Sequence, residues 1–93
     1  MSNINRVINA VAAAWNLQPS DITGPRRTGK IAQARQASMA ICYWQGMGSL
    51  YSIAKAHGRG QHATVIHACN AVEADTQYDS AYRQLILSVT QSL

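Results

Sequence analysis

Glycines at 58 and 60 bracket Arg59 between two stretches whose apolar residues fall at helical spacing, and this break constrains the chain more than any other feature. Before it, Leu50, Ile53, Ala54 and Ala56 fit a short helix that Ser49 can cap and that runs through His57. After it, Val65, Ile66, Cys69 and Val72 form one stripe of a helix from about Gln61 to Ala74. Glycine accepts a positive φ where side chains meet a steric penalty, so Gly58-Arg59-Gly60 predicts a tight turn. Two helices joined by such a turn make a helix-turn-helix, whose second helix can enter a DNA major groove.

The remaining segments read as helices too. Ile4, Val7, Ile8, Val11 and Ala12 place a first helix from Asn3 to about Trp15, and Gln18-Pro19-Ser20-Asp21 breaks it before a short helical turn reaching Ile22. Gly24-Pro25-Arg26-Arg27-Thr28-Gly29-Lys30 is a basic loop. A long helix follows from about Ile31 to Gln45, with Ala34, Ala37, Ser38, Ile41 and Cys42 inward, and Gly46-Met47-Gly48 stops it. Tyr82, Leu85, Ile86 and Val89 mark a last helix from Asp79 to about Ser92. No segment alternates with a period of two, so the expected class is all-α, one domain over residues 1–93. An apolar share of 47%, rich in alanine and without phenylalanine, suits close helix packing.

Charge is uneven. Residues 1–60 carry seven basic side chains and one acid, whereas residues 61–93 carry Arg83 against Glu73, Asp75 and Asp79. From Arg26 to Arg59 there are six cations and no acid, which implies a surface facing a polyanion. On the second helix of the turn motif, Gln61 and His62 fall in the first turn, where base edges are most easily reached. Ala63 suits a thymine methyl, and Thr64 or His67 a phosphate. The alternative is an ordinary amphipathic helix with a small polar outer face.

Ser49-Leu50, Ile53, Gly58 and His62-Ala63-Thr64-Val65-Ile66-His67-Ala68-Cys69 closely resemble the signature of the C-terminal DNA-binding domain of DnaA, the bacterial replication initiator. Upstream, Trp15-Asn16-Leu17, Ser20-Asp21-Ile22 and Ala34-Arg35-Gln36-Ala37-Ser38-Met39-Ala40 resemble the same domain, and residues 79–93 do so more loosely. The resemblance implies a multi-helix, Trp-repressor-like fold with a helix-turn-helix, the architecture of DnaA domain IV. It implies Arg27, with Arg26 and Lys30 nearby, in the minor groove or on the backbone. Arg35, Gln36, Ser49, Leu50, Tyr51, Thr64 and His67 would contact phosphates, and Gln61, His62 and Ala63 would read the major groove. A free-standing, non-catalytic binder of double-stranded DNA in the cytoplasm, associated with the nucleoid and regulating replication or transcription in a bacterium or phage, is the expected role. The ATPase domain that accompanies this module in DnaA is expected to be absent.

The departures are local. Where the family shows Gly-Gly-Arg-Asp-His-Thr-Thr, this chain has Gly58-Arg59-Gly60-Gln61-His62-Ala63-Thr64. Aspartate accepts from cytosine while glutamine pairs with adenine, so an altered site preference is expected. Gln33-Ala34-Arg35 stands where the family has Arg-Pro-Arg, one charge fewer, which predicts a salt dependence shallower by about one counterion.

Other signals are weaker. Gly24 to Lys30 fits the first seven positions of a P-loop, but Ile31 stands where Ser or Thr must hold magnesium, so no nucleotide is expected. His62 and His67 are five apart, and Cys42 and Cys69 fall in apolar stripes, so no metal or other cofactor and no disulfide are expected. No segment predicts a membrane span or a signal peptide. The rival reading keeps the fold but binds a replication or transcription protein, such as the initiator, through the region of Trp44, Met47 and Tyr51.

Overall fold

The computed structural model describes residues 3–93, so Met1 and Ser2 of the expected 1–93 domain lie outside the described residues. It contains α1 (Asn3–Ala14), α2 (Pro19–Thr23), α3 (Gly29–Trp44), α4 (Leu50–Ala56), α5 (Ala63–Thr76) and α6 (Ser80–Ser92), with no strand among the described residues. The all-α expectation holds, element by element.

α3 is the central helix and touches each of the other five. Its buried residues run without a gap from Ala37 to Cys42, so it is covered on all sides. Alanines and Ser38 at these positions keep the side chains short, which lets α5 lie close along it. α1 contributes Ile4, Val7, Ile8, Val11 and Ala12, the i, i+3, i+4, i+7, i+8 stripe of its sequence. α6 closes the far side through Tyr82, Ile86 and Val89. Tyr82 stacks edge-on against Trp15, with centroids 6.0 Å apart, and its hydroxyl donates to the Gln33 carbonyl. The Trp15 indole N–H donates to the Gln33 side chain at 2.9 Å, so Gln33 serves a seam between α1, α3 and α6.

Several helix boundaries fall where the sequence supplies a stop or a cap. Asn16, at φ 59°, turns the chain after α1, and Gly46, at φ 65°, does so after α3. Ser49 Oγ accepts from the Ser52 N–H to cap α4, and an Asp79 carboxylate oxygen accepts from the Tyr82 N–H to cap α6. One expected core position is wrong: Ile66 is exposed, not part of the α5 stripe. Val65, Ala68, Cys69 and Val72 form that stripe instead, which leaves Ile66 on its outer flank. Cys42 and Cys69 are free, buried thiols, and burial pushes Cys42 up to about 12.

Candidate nucleic-acid interface

The helix-turn-helix is α4, the turn through Gly58, and α5. His57 caps the C-terminus of α4, and Gly58 follows at φ +73° with the Arg59 N–H bonded back to the Ala54 carbonyl. A Cβ on Gly58 would stand 2.5 Å from the Thr23 carbonyl oxygen, so the turn packs against the end of α2. The stem of the basic loop and the turn are therefore direct neighbours.

α5 begins at Ala63, later than the apolar spacing suggests. Gln61 and His62 precede it: the Gln61 carbonyl accepts from the Thr64 N–H and the His62 carbonyl from the Val65 N–H, both at 3.1 Å. Gln61, His62 and Ala63 are all exposed at this open helix end. Thr64 is half-buried, and His67 is exposed nearly one turn further on.

Beside that end lies a cleft of about 310 Å³ lined by Arg27, Arg35, Gln36, Arg59 and Thr64, with Ala32 and Met39 as its apolar wall. It joins the basic loop, α3, the turn and α5. Four residues singled out in the sequence thus meet in one concavity, and none of the lining residues is acidic. Arg26 and Lys30 are exposed but lie outside the cleft, as do Gln61, His62 and Ala63. Ser49, Leu50 and Tyr51 stand apart at the start of α4, where Tyr51 is exposed beneath the Lys55 ammonium, 5.9 Å from its ring centre.

Arg35 needs a different account from a free phosphate contact, because only 5% of it is exposed. Its Nε donates to the Ile22 carbonyl at 2.6 Å, and its Nη2 donates to the carbonyls of Asp21 and Gly24 at 2.9 and 2.8 Å. The guanidinium is a bolt between α3 and the root of the basic loop, and Arg35 also lines the cleft. Burial, then the charges of Arg59 and Arg27, push its pKa below the usual range.

Residue type alone does not mark Arg59 as a site residue, although it sits between the two glycines that define the turn. It is half-buried on the cleft, and its Nη2 donates to the same Gly24 carbonyl at 3.2 Å. Behind the cleft, His57 is fully buried. Its Nδ1–H donates to the Ile53 carbonyl, so its Nε2 accepts from the Ser38 hydroxyl, both at 2.7 Å. Burial, together with the charges of Arg35 and Arg59, holds it down at about 4 against the pull of the Ile53 carbonyl. His57 is thus a neutral core residue, whereas His62 and His67 are surface residues.

Comparison with known proteins agrees with this architecture. Residues 4–72 match the family described as bacterial dnaA protein helix-turn-helix. The chromosomal replication initiator protein DnaA of Thermodesulfovibrio yellowstonii is 36% identical over 90 residues, which is 97% of this chain and 20% of that protein. Its counterparts in Lachnoclostridium phytofermentans and Aquifex aeolicus are 32% and 31% identical, over 89% and 87% of this chain and 18% and 20% of theirs. The chain spans about a fifth of the length of these curated relatives. With its turn at Gly58, its cationic cleft and a match running from α1 into α5, the chain belongs to the bacterial DnaA helix-turn-helix family.

Proposed function

We propose that this chain binds double-stranded DNA sequence-specifically and without catalysis, regulating replication or transcription. The observation that carries this reading is the cleft, which gathers Arg27, Gln36, Arg59 and Thr64 from four separate elements without an acid among them. Cationic and hydroxyl-bearing side chains around one concavity suit a backbone phosphate. The exposed tip Gln61-His62-Ala63 is then the base-reading element, His67 a phosphate contact on α5, and Arg26, Arg27 and Lys30 the minor-groove or backbone contact. Ser49, Leu50 and Tyr51 offer a second phosphate contact through the start of α4. Arg35 supports the cleft from below. The Ser38–His57 pair has the spacing of a nucleophile and base, but both residues are sealed in the core, so it serves packing.

Gln61 and Ala63 give the site preference its own character, with adenine favoured opposite Gln61. Selection from a randomised duplex pool tests the whole reading. Enrichment of a sequence other than the standard DnaA box, lost on Arg27→Ala and on His62→Ala and falling steeply with salt, is the expected result. Recovery of the standard box as the top sequence would sink the altered preference alone.

A second reading rests on Trp44 and Tyr51, exposed by 43 and 60%, with Tyr43 beside them, whereas Met47, expected with them, is half-buried against the core. Exposed aromatics suit a protein partner of the replication or transcription machinery. Weak, unenriched duplex binding indifferent to His62 would favour it.

A further inference from the structure

The arrangement around Gly24 places two guanidinium groups on one carbonyl oxygen. Arg35 Nη2 lies 2.8 Å from it and Arg59 Nη2 lies 3.2 Å from it. Arg27 lines the same cleft, and its charge, like that of Arg59, is felt at Arg35. Three like charges brought together without a carboxylate on the cleft repel one another, and an anion seated among them would offset that cost.

Arg59 is held ready for such a role. Its Nη1 donates to the carbonyls of His57 and Gly58 at 3.3 and 3.4 Å, at the C-terminal end of α4, while Nη2 reaches Gly24. These bonds occupy three of the five N–H groups of a guanidinium, leaving two for an oxyanion. Backbone carbonyls on both sides fix the plane of the group, so little rotamer freedom remains to be lost on binding. Thr64 and Gln36, which also line the cleft, add neutral donors.

We propose that Arg59 is a phosphate ligand, the cation that completes the cleft between the basic loop and α5 for one phosphate of the nucleic-acid backbone. This rests on the reading of the chain as a duplex binder. The geometry also lets Arg59 act only as a strap between the turn and the loop, and the salt dependence separates the two roles. A phosphate ligand releases a counterion, so each contact adds about 0.9 to the slope of log affinity against log salt concentration. A strap adds nothing to it.

The test uses the full chain and a duplex taken from the randomised pool, titrated at several salt concentrations with thermal melting alongside. Arg59→Gln is expected to lower the slope by about 0.9 and to weaken binding about tenfold at 0.1 M salt. Arg59→Lys, which keeps the charge, is expected to retain the slope. Arg83→Ala, which removes an equal charge from α6, controls for net charge and is expected to leave the slope unchanged. An unchanged slope in Arg59→Gln, with or without a lower melting temperature, overturns the ligand role while the duplex-binding reading stands. A wild-type chain that binds no duplex at any salt concentration overturns both.

Discussion

Ser38 Oγ and His57 Nε2 lie 2.7 Å apart, and neither residue has any surface exposed to solvent. The bond ties the middle of α3 to the C-cap of α4 and so fixes the helix-turn-helix against the core. Removing the hydroxyl leaves a buried ring nitrogen without a donor, at a cost of about 1–3 kcal/mol. Ser38→Ala is expected to lose that amount in denaturant unfolding, and Ser38→Ala with His57→Phe to recover part of it, since an apolar pair strands neither partner.

The same histidine makes the fold sensitive to acid. Its folded pKa is held at about 4, below the ordinary 6.5, so between these values the unfolded chain binds the extra proton. Stability from the neutral ring is complete above about 6.5, declines as the pH falls through this window, and stops declining for this group below about 4. The span corresponds to about 3 kcal/mol. Unfolding free energy measured from pH 7 to pH 4 should fall by that order in the wild type. The His57→Phe, Ser38→Ala chain should lack this component, and an equal fall in both would assign it to other groups.

Arg35 and Arg27 should separate cleanly in experiment. Arg35 is buried on three carbonyls, so Arg35→Ala is expected to cost about 3 kcal/mol of stability. Arg35→Lys should restore little of it, because an ammonium on a flexible stem cannot reproduce the forked contact. Arg27 is exposed, and Arg27→Ala should leave the melting temperature within about 2 °C while weakening duplex binding. A stable Arg35→Ala chain with impaired binding would return Arg35 to the role of a direct phosphate contact.

Both arginines look alike in the sequence, and that shows where legibility stops. The helices were readable because apolar spacing records which side of a helix is buried. A helical wheel places Val65, Cys69 and Val72 correctly but not Ile66, since it gives the direction of the stripe and not its width. Arg35 is hidden because its acceptors are backbone carbonyls of Asp21, Ile22 and Gly24, and a carbonyl has no sequence signature. Arg59 escaped for the same reason. Gln61, His62, Ala63 and the basic loop could be named from residue type and position, but the cleft could not, since it is assembled from four elements.

The two glycines of the turn carry different burdens. Gly58 combines φ +73° with a Cβ position 2.5 Å from the Thr23 carbonyl oxygen, whereas nothing lies within 4 Å of a Cβ on Gly60, which has no positive φ. Gly58→Ala therefore meets both left-handed strain of about 1–2 kcal/mol and a backbone clash. It should lower the melting temperature by several degrees and loosen the turn from α2. Gly60→Ala should be neutral or stabilising by about 0.4–1 kcal/mol, by restricting the unfolded chain. Equal effects at the two positions, in paired thermal melts, would contradict this account of the turn.

Gln61 offers the sharpest test of what the tip of α5 reads. Its side chain is exposed just before the helix and its carbonyl already closes the first turn onto Thr64, so a change of side chain leaves the local backbone bond in place. Glutamine presents a donor and an acceptor to adenine, whereas an aspartate in its place presents only acceptors and suits the cytosine amino group. Gln61→Asp is expected to move the preferred base pair at one position of the selected site, with discrimination of about 1–3 kcal/mol. Positions set by His62 should keep their preference, and the slope against salt should stay unchanged because no phosphate contact is touched. Parallel selections with the two chains decide it: identical enriched sequences would place Gln61 away from the bases and leave the reading to His62 and Ala63.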